Sequence, residues 1–372
     1  IGGSGTTAIS ATFNNLGGTV EVDSGQLVLA NSGVSSNGIF AVAPGASVDL
    51  SGGSQPSWTG RLTGSGGGQI ILSSGGLTAA GLTLDCSAGM FQWTGGGING
   101  SLTNANELDF AGGTLTGGLI NLGLFRHLGA GVFTLTSAGA GSQFYNFGEY
   151  RFEGDGVINL LSCCSPVVFN NSGMIHKTGG TNTVLAIPVN NAGGSIQIDA
   201  GTLSLASGNF AQSGGGFGVA IGGRAPSQYG QMSVSGSASL SGPLTVVLTN
   251  GFKPNLGDQF TILSAGSING TFTQLNVPAG FGIIYSNTSV TLSVTNTALV
   301  ARLRVTPSAP ATNVFQFYFQ SERGLNYIVE RSDDLNFTNW VFYKEVLGDG
   351  SVIHVSAPAT NSNQRFFRVR AP

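Results

Sequence analysis

In residues 14–30, NNLGGTVEVDSGQLVLA, apolar and polar side chains alternate in two short bursts: Val20 with Val22, then Leu27 with Leu29. The pattern returns at 190–206, NNAGGSIQIDAGTLSLA, with Ile196 and Ile198, then Leu203 and Leu205. Nine of the seventeen positions are identical. A period of two predicts half-buried strands, with Val20, Val22, Ile196 and Ile198 facing inward. No segment combines a helical period with caps, which disfavours βαβ folds.

Asparagine reveals the longer period. The segments NANELDF (104–110), NLGLFRH (121–127), NFGEYRF (146–152), NSGMIHK (171–177) and NAGGSIQI (191–198) begin 17, 25, 25 and 20 residues apart. The two long phrases lie 176 residues apart, eight times the average spacing. WTG recurs at 58–60 and 93–95, and NGIFAVAPGASVDL (37–50) holds another phase of the same register. Units this short bury no face alone, but stacked units bury a continuous column. The expected architecture is all-β: a parallel β-solenoid, read as a right-handed β-helix, with similar coils on one axis. Glycine would supply positive φ at corners. Asparagine would tolerate left-handed backbone there and stack on the asparagine of the next coil.

Composition agrees with this. Charged residues are 8% of the 372, against about 25% in ordinary soluble domains. Like charges repeated at one coil position would stack about 4.8 Å apart, which a solenoid disfavours. A hydrophobic content of 41% argues against disorder, and a net charge of −3 gives no footprint for nucleic acid. Residues 1–300 carry 17 charged side chains and residues 301–372 carry 14, which sets a boundary near Ala298–Arg304. The domains expected are solenoid coils over 1–206, terminal coils or a cap over 207–300, and a small antiparallel immunoglobulin- or fibronectin-like β-sandwich over 301–372. In the last, YIVERSDDLNFTNW (327–340) and QRFFRVR (364–370) supply strands, Trp340 and Phe366 are expected in the core, and His354 is expected to be exposed. The start at Ile1, without a charged or apolar leader, fits a processed, exported chain. Gly, Pro, Asn and Ser interrupt the long uncharged stretches, so no membrane span is expected. Cys86, Cys163 and Cys164 lack metal-binding spacing. Buried thiols are favoured, with a bridge from Cys86 to one of the pair left open.

The segments FQWTGGGINGSLTNANELDFAGG (91–113) and FNNLGGTVEVDSGQLVLA (13–30) resemble secreted bacterial β-strand-repeat proteins. These share a style with autotransporter passengers and filamentous-haemagglutinin-like adhesins. YGQMSVSGSASLSGPLTVVLTNGFKPNLGDQFTILSAGSINGTF (229–272) looks like the tail of such passengers. The resemblance covers about 1–296 and implies architecture and export. It transfers no catalytic residue, and with no outer-membrane barrel read within 1–372, classical autotransport is not expected.

Chemistry is sought where charge gathers. Five positions after the asparagines stand Asp109, Arg126, Arg151 and His176, and three positions after stand Glu107, Leu124, Glu149 and Met174, with His127, Lys177, Glu153 and Asp155 close by. A solenoid would bring the first four into one outer column. Carboxylates beside cations can cleave glycans by hydrolysis or proton abstraction; the alternative, adopted here, is a charge-paired surface. EGDG (153–156) is a single fragment of a calcium-type repeat that is serial when it binds. GGGFGVAIGG (214–223) lacks the strand–helix setting of a phosphate loop, and sequons at Asn170, Asn269, Asn287 and Asn336 carry little weight in the bacterial setting that the resemblance implies. Catalytic, cofactor and metal residues are therefore all expected to be none. The functional expectation is a non-enzymatic extracellular structural protein associating head-to-tail through an uncapped first coil. A glycan-binding or glycan-cleaving β-helix is the rival, with extracellular glycans or a cell surface as further partners.

Overall fold

The computed structural model describes residues 3–52, 55–136, 143–161, 167–295, 304–306, 314–321, 326–333, 339–358 and 365–370. Contacts divide the chain into two units, Ile1–Val294 and Thr295–Pro372.

The first unit is a parallel β-solenoid, as the repeat spacing and the alternation together predict. Its first ladder has 13 strands, from Thr6–Ile9 to Gln274–Asn276. Each strand pairs with its counterparts on adjacent coils: Gln26 opposite Ser47, Glu107 opposite Leu124, Ile196 opposite Phe217. Two further ladders complete each coil. In some coils one long strand, such as Gly97–Asn104 or Gly113–Asn121, bends through both. In others the two stretches are separate strands, such as Val132–Thr136 and Phe144–Asn146. Helical structure among the described residues is limited to the 3-10 turn Pro226–Gln228.

Alternation places the core. Val22, Leu27, Leu29, Ile196, Ile198, Leu203 and Leu205 are buried, while Val20, on the first coil, is partly buried against them. Burying each such side chain contributes about 1.5–3 kcal/mol. Aromatic rings stack through the interior of the central coils. Phe125 and Tyr150 lie 4.6 Å apart, Phe144 and Phe169 4.2 Å, and Trp93 meets Phe110 edge-on at 5.1 Å.

The asparagine segments form one corner, between the third ladder and the first. Asn104 Nδ2 donates to Asn121 Oδ1, Asn121 to Asn146, Asn146 to Asn171 and Asn171 to Asn191, each at 2.7 Å. Asn191 continues to Gln212 Oε1 at 2.8 Å. The second Nδ2 proton goes to a backbone carbonyl, that of Leu124, Glu149, Met174 or Ser195 in successive coils. The glycine two places later serves a different purpose from the one expected. Gly123, Gly148 and Gly173 do not have positive φ. A Cβ on Gly148 would collide with the carbonyl of Gly123, and one on Gly173 with that of Gly148. The N-x-G signature therefore combines an inward amide with a backbone-on-backbone corner.

The two long phrases are not on equivalent faces. Residues 15–16, 19–22 and 26–29 lie on the second, third and first ladders. Residues 189–192, 195–198 and 201–205 lie on the third, first and second. The phrase encodes a corner followed by two strands, and its second copy is displaced by one face as well as by eight coils.

At the C-terminal end the progression changes. Ser289–Val294 pairs antiparallel with the first half of Gln259–Gly270, and Phe281–Tyr285 pairs antiparallel with Ser289–Val294. This hairpin covers the end of the second ladder.

The second unit has two three-stranded antiparallel sheets, Arg304–Thr306, Val314–Gln320, Val352–Pro358 and Val341–Leu347, Asn326–Ser332, Phe366–Arg370. Phe317, Phe319, Tyr327, Val329 and Val355 form its buried core. Trp340 and Phe366 are only partly buried and stand outside that cluster. Phe367 takes the inward place, and Trp340 lies under the Arg368 guanidinium at 4.3 Å. His354 is exposed.

Candidate functional site

The charged column lies on the outer side of the first ladder. Strand pairing places Asp109 opposite Arg126, Arg126 opposite Arg151, and Arg151 opposite His176. Glu107, Leu124, Glu149 and Met174 form the neighbouring column in the same register. Both columns are those the asparagine spacing predicts.

Arg126 is the hub. Its guanidinium meets Glu153 at 2.9 and 3.0 Å, Asp109 at 3.0 Å and Glu107 at 3.6 Å. Arg151 grips Glu149 at 2.7 and 3.0 Å and lies 3.9 Å from Glu153. His176 bridges Glu149 at 2.9 Å and Asp199 at 2.8 Å. Gln92 extends the network through Asp109, and Gln197 through Asp199. These two lay outside the sequence rule. The coil carrying Gln92 has no asparagine at the rung position, and the extra glycine at 193–194 moves Gln197 one place further from Asn191.

Electrostatics follow from the partners. The Glu153 hydrogen bond raises Arg126 above its ordinary value, and the Glu149 hydrogen bond does the same for Arg151. The Arg126 hydrogen bond lowers Glu153. Partial burial pushes Glu149 up, but bonds from Arg151 and His176 outweigh it and lower the carboxyl. The Asp199 hydrogen bond raises His176 against the effect of burial. In Asp199, burial is outweighed by the bonds from His176 and Gln197. The shifted carboxylates of the column are thus held ionised, whereas a glycosidic general acid needs a raised value.

His127 and Lys177 are not on this surface. Each stands next to a column residue and so points inward, where both are fully buried. His127 bonds Tyr150 Oη at 3.0 Å and the Gly131 carbonyl at 2.7 Å, and burial lowers it to about 4. Lys177 Nζ donates to Thr183 Oγ1 at 3.0 Å and to the carbonyls of Gly154 and Gly179, with Asp155 at 3.9 Å. Burial lowers Lys177, and Asp155 opposes that shift. Period-two alternation at 126–127 and 176–177 already contained this placement.

In EGDG, Glu153 belongs to Arg126, while Asp155 accepts from the backbone of Thr181 and Asn182 and from Thr181 Oγ1. Within 214–223, Phe217–Ile221 is a buried strand of the first ladder. Cys86 is a buried free thiol, raised to about 12 chiefly by burial. Cys163 and Cys164 lie outside the described residues. No described helix is long and apolar enough to cross a membrane.

No family model matches the chain, and no curated protein matches it.

Proposed function

We propose that the chain is a non-enzymatic extracellular structural protein whose solenoid associates head-to-tail in a surface fibre, sheath or adhesive layer. The observation that carries this reading is the coil-to-coil use of polar groups. The amide ladder runs from Asn104 to Gln212 inside, and the ion-pair column runs from Gln92 to Asp199 outside. Side chains engaged with neighbouring coils favour stiffness over turnover. Export is supported by the low charge and by the resemblance to secreted repeat proteins.

Association is supported by strand edges. Among the described residues, Thr6–Ile9, Asn15–Leu16 and Thr19–Val22 pair on one side only. At the other end Gln274–Asn276 has one strand neighbour, whereas the second half of Gln259–Gly270 pairs with one strand and also gives its Ile268 N–H to the Asn287 carbonyl at 2.7 Å. Open parallel edges accept further strands. The terminal hairpin obstructs the second ladder and its turn meets the third at Ile268, so stacking would run chiefly through the first. Sedimentation and negative-stain microscopy test this reading. Concentration-dependent filaments with a continuous axial repeat are expected; strictly monomeric particles at high concentration overturn association.

A further inference from the structure

We propose that the outward face of the third ladder binds a neutral, linear polysaccharide along the solenoid axis, one sugar ring per coil. This site does not depend on self-association.

The starting point is an open cavity of about 330 Å³ across the coils that carry Pro188, Asn209 and Ser237. None of its ten lining residues is ionisable. Asn190, Asn209, Ser237 and Ser239 place amides and hydroxyls around an apolar floor that includes Ala211 and Pro188. That mixture suits a pyranose ring, with hydroxyls at its edge and C–H groups on its faces. Neither an acidic sugar nor a cation finds a countercharge in the lining.

Register turns the cavity into a track. Tyr145 stands opposite Asn170, and Asn170 opposite Asn190. Ala211 continues the column beside the Asn191–Gln212 pair, followed by Ser239 and Asn269. Asn190 Nδ2 donates to Asn170 Oδ1 at 3.1 Å. Asn190 Oδ1 has no partner among the described residues and remains an acceptor. A coil advances about 4.8 Å, close to the length of one sugar in an extended chain.

A second feature points the same way. Tyr145 is 38% exposed and Phe147 54%, and their rings lie 6.1 Å apart at 15°. The two near-parallel rings expose aromatic area at one end of the track. Exposed aromatic faces of this kind stack on the C–H faces of neutral sugars.

The test is affinity electrophoresis and calorimetry on the full chain. The neutral probes are mixed-linkage glucan, glucomannan and pullulan; the acidic ones are polygalacturonate and alginate. Retardation by at least one neutral polymer, insensitive to salt, is expected. Ala211→Glu, at an exposed position, should weaken it at least tenfold with the thermal midpoint unchanged. Tyr145→Ala should weaken it severalfold, and Arg126→Ala should leave it as in the parent. The proposal is overturned by absence of retardation with all three neutral polymers, by equal or stronger retention on the acidic ones, or by parental affinity in Ala211→Glu.

Discussion

Asn15 and Asn191 occupy the same place in the same written phrase, yet they meet different surroundings. Asn191 is a rung in a ladder, receiving a bond from Asn171 and donating to Gln212. Asn15 faces Ser35 and then Trp58 on successive coils. Both Asn15 Nδ2 and Ser35 Oγ are buried without a partner among the described residues. A buried amide contributes little alone, because its two ends need opposite partners. Repetition on each coil supplies both, since one residue's donor meets the next one's acceptor. The lower end of the ladder shows the same rule: Asn104 Oδ1 is unpaired where Leu84 occupies the preceding position. The first coils are therefore held mainly by apolar packing, and the central coils by packing plus two polar ladders.

The largest effect should come from charging the core. Ile196→Asp, at a central, fully packed position, should cost roughly 4 kcal/mol or more, while Val20→Asp at the partly buried first coil should cost about half as much. Chemical denaturation of both variants measures the gap, and equal losses would erase the distinction between the regions.

Removing one rung is next. Asn146→Ala leaves Asn171 Oδ1 without its donor and Asn121 Nδ2 without one acceptor, at roughly 1–3 kcal/mol for each buried group. Asn15→Ala removes an unpaired amide and should stay within about 1 kcal/mol of the parent. Hydrogen exchange should show protection lost across 121–177 in the first variant and little change in the second.

The histidines then separate the regions by pH, since His127 and His176 both lie in the central coils. His127 titrates near 4 in the folded chain, against an ordinary 6.5. The unfolded chain therefore takes up the proton first. Stability should hold above pH 6.5 and fall toward 4, by at most about 3 kcal/mol. His176 is raised instead, so its contribution is full below its ordinary value and declines as pH rises through its folded one. Unfolding free energies against pH for the parent, His127→Phe and His176→Gln would show opposite slopes removed. Local protection in coils before residue 90 should follow neither.

Salt should give the smallest change. Arg126 and Arg151 are each about 30% exposed at the side chain, so screening should loosen the column by under about 1 kcal/mol. Protection before residue 60 should not move with salt.

Much of this contrast was legible beforehand. Period-two alternation gave the inward residues, and the asparagine spacing placed Asp109, Arg126, Arg151 and His176 in one column without coordinates. The rule counted from a marker and did not use the alternation beside it, so it named His127 and Lys177 as neighbours of the column without placing them inside. Gln92 escaped because its coil lacks the marker. The one-face displacement of the repeated phrase was hidden because a corner followed by strands reads the same at any corner. The antiparallel hairpin at 281–294 alternates just as a parallel strand does, so direction was not encoded in the pattern.

The N-x-G corner also decides where the chain can grow. Leu124, Glu149 and Met174 each stand three positions after Asn121, Asn146 and Asn171, whether the coil is short or long, and the glycine pair 193–194 adds one place at the next corner. The extra length of the 25-residue coils enters elsewhere, as between Leu135 and Phe144, where the preceding coil needs only Leu115 to Leu119. One edge of the prism thus behaves as a spine, its pitch dictated by amide and backbone contact, while the opposite edges serve as free margins. Descent with insertion can lengthen those margins, varying what the shaft displays without altering how it is threaded.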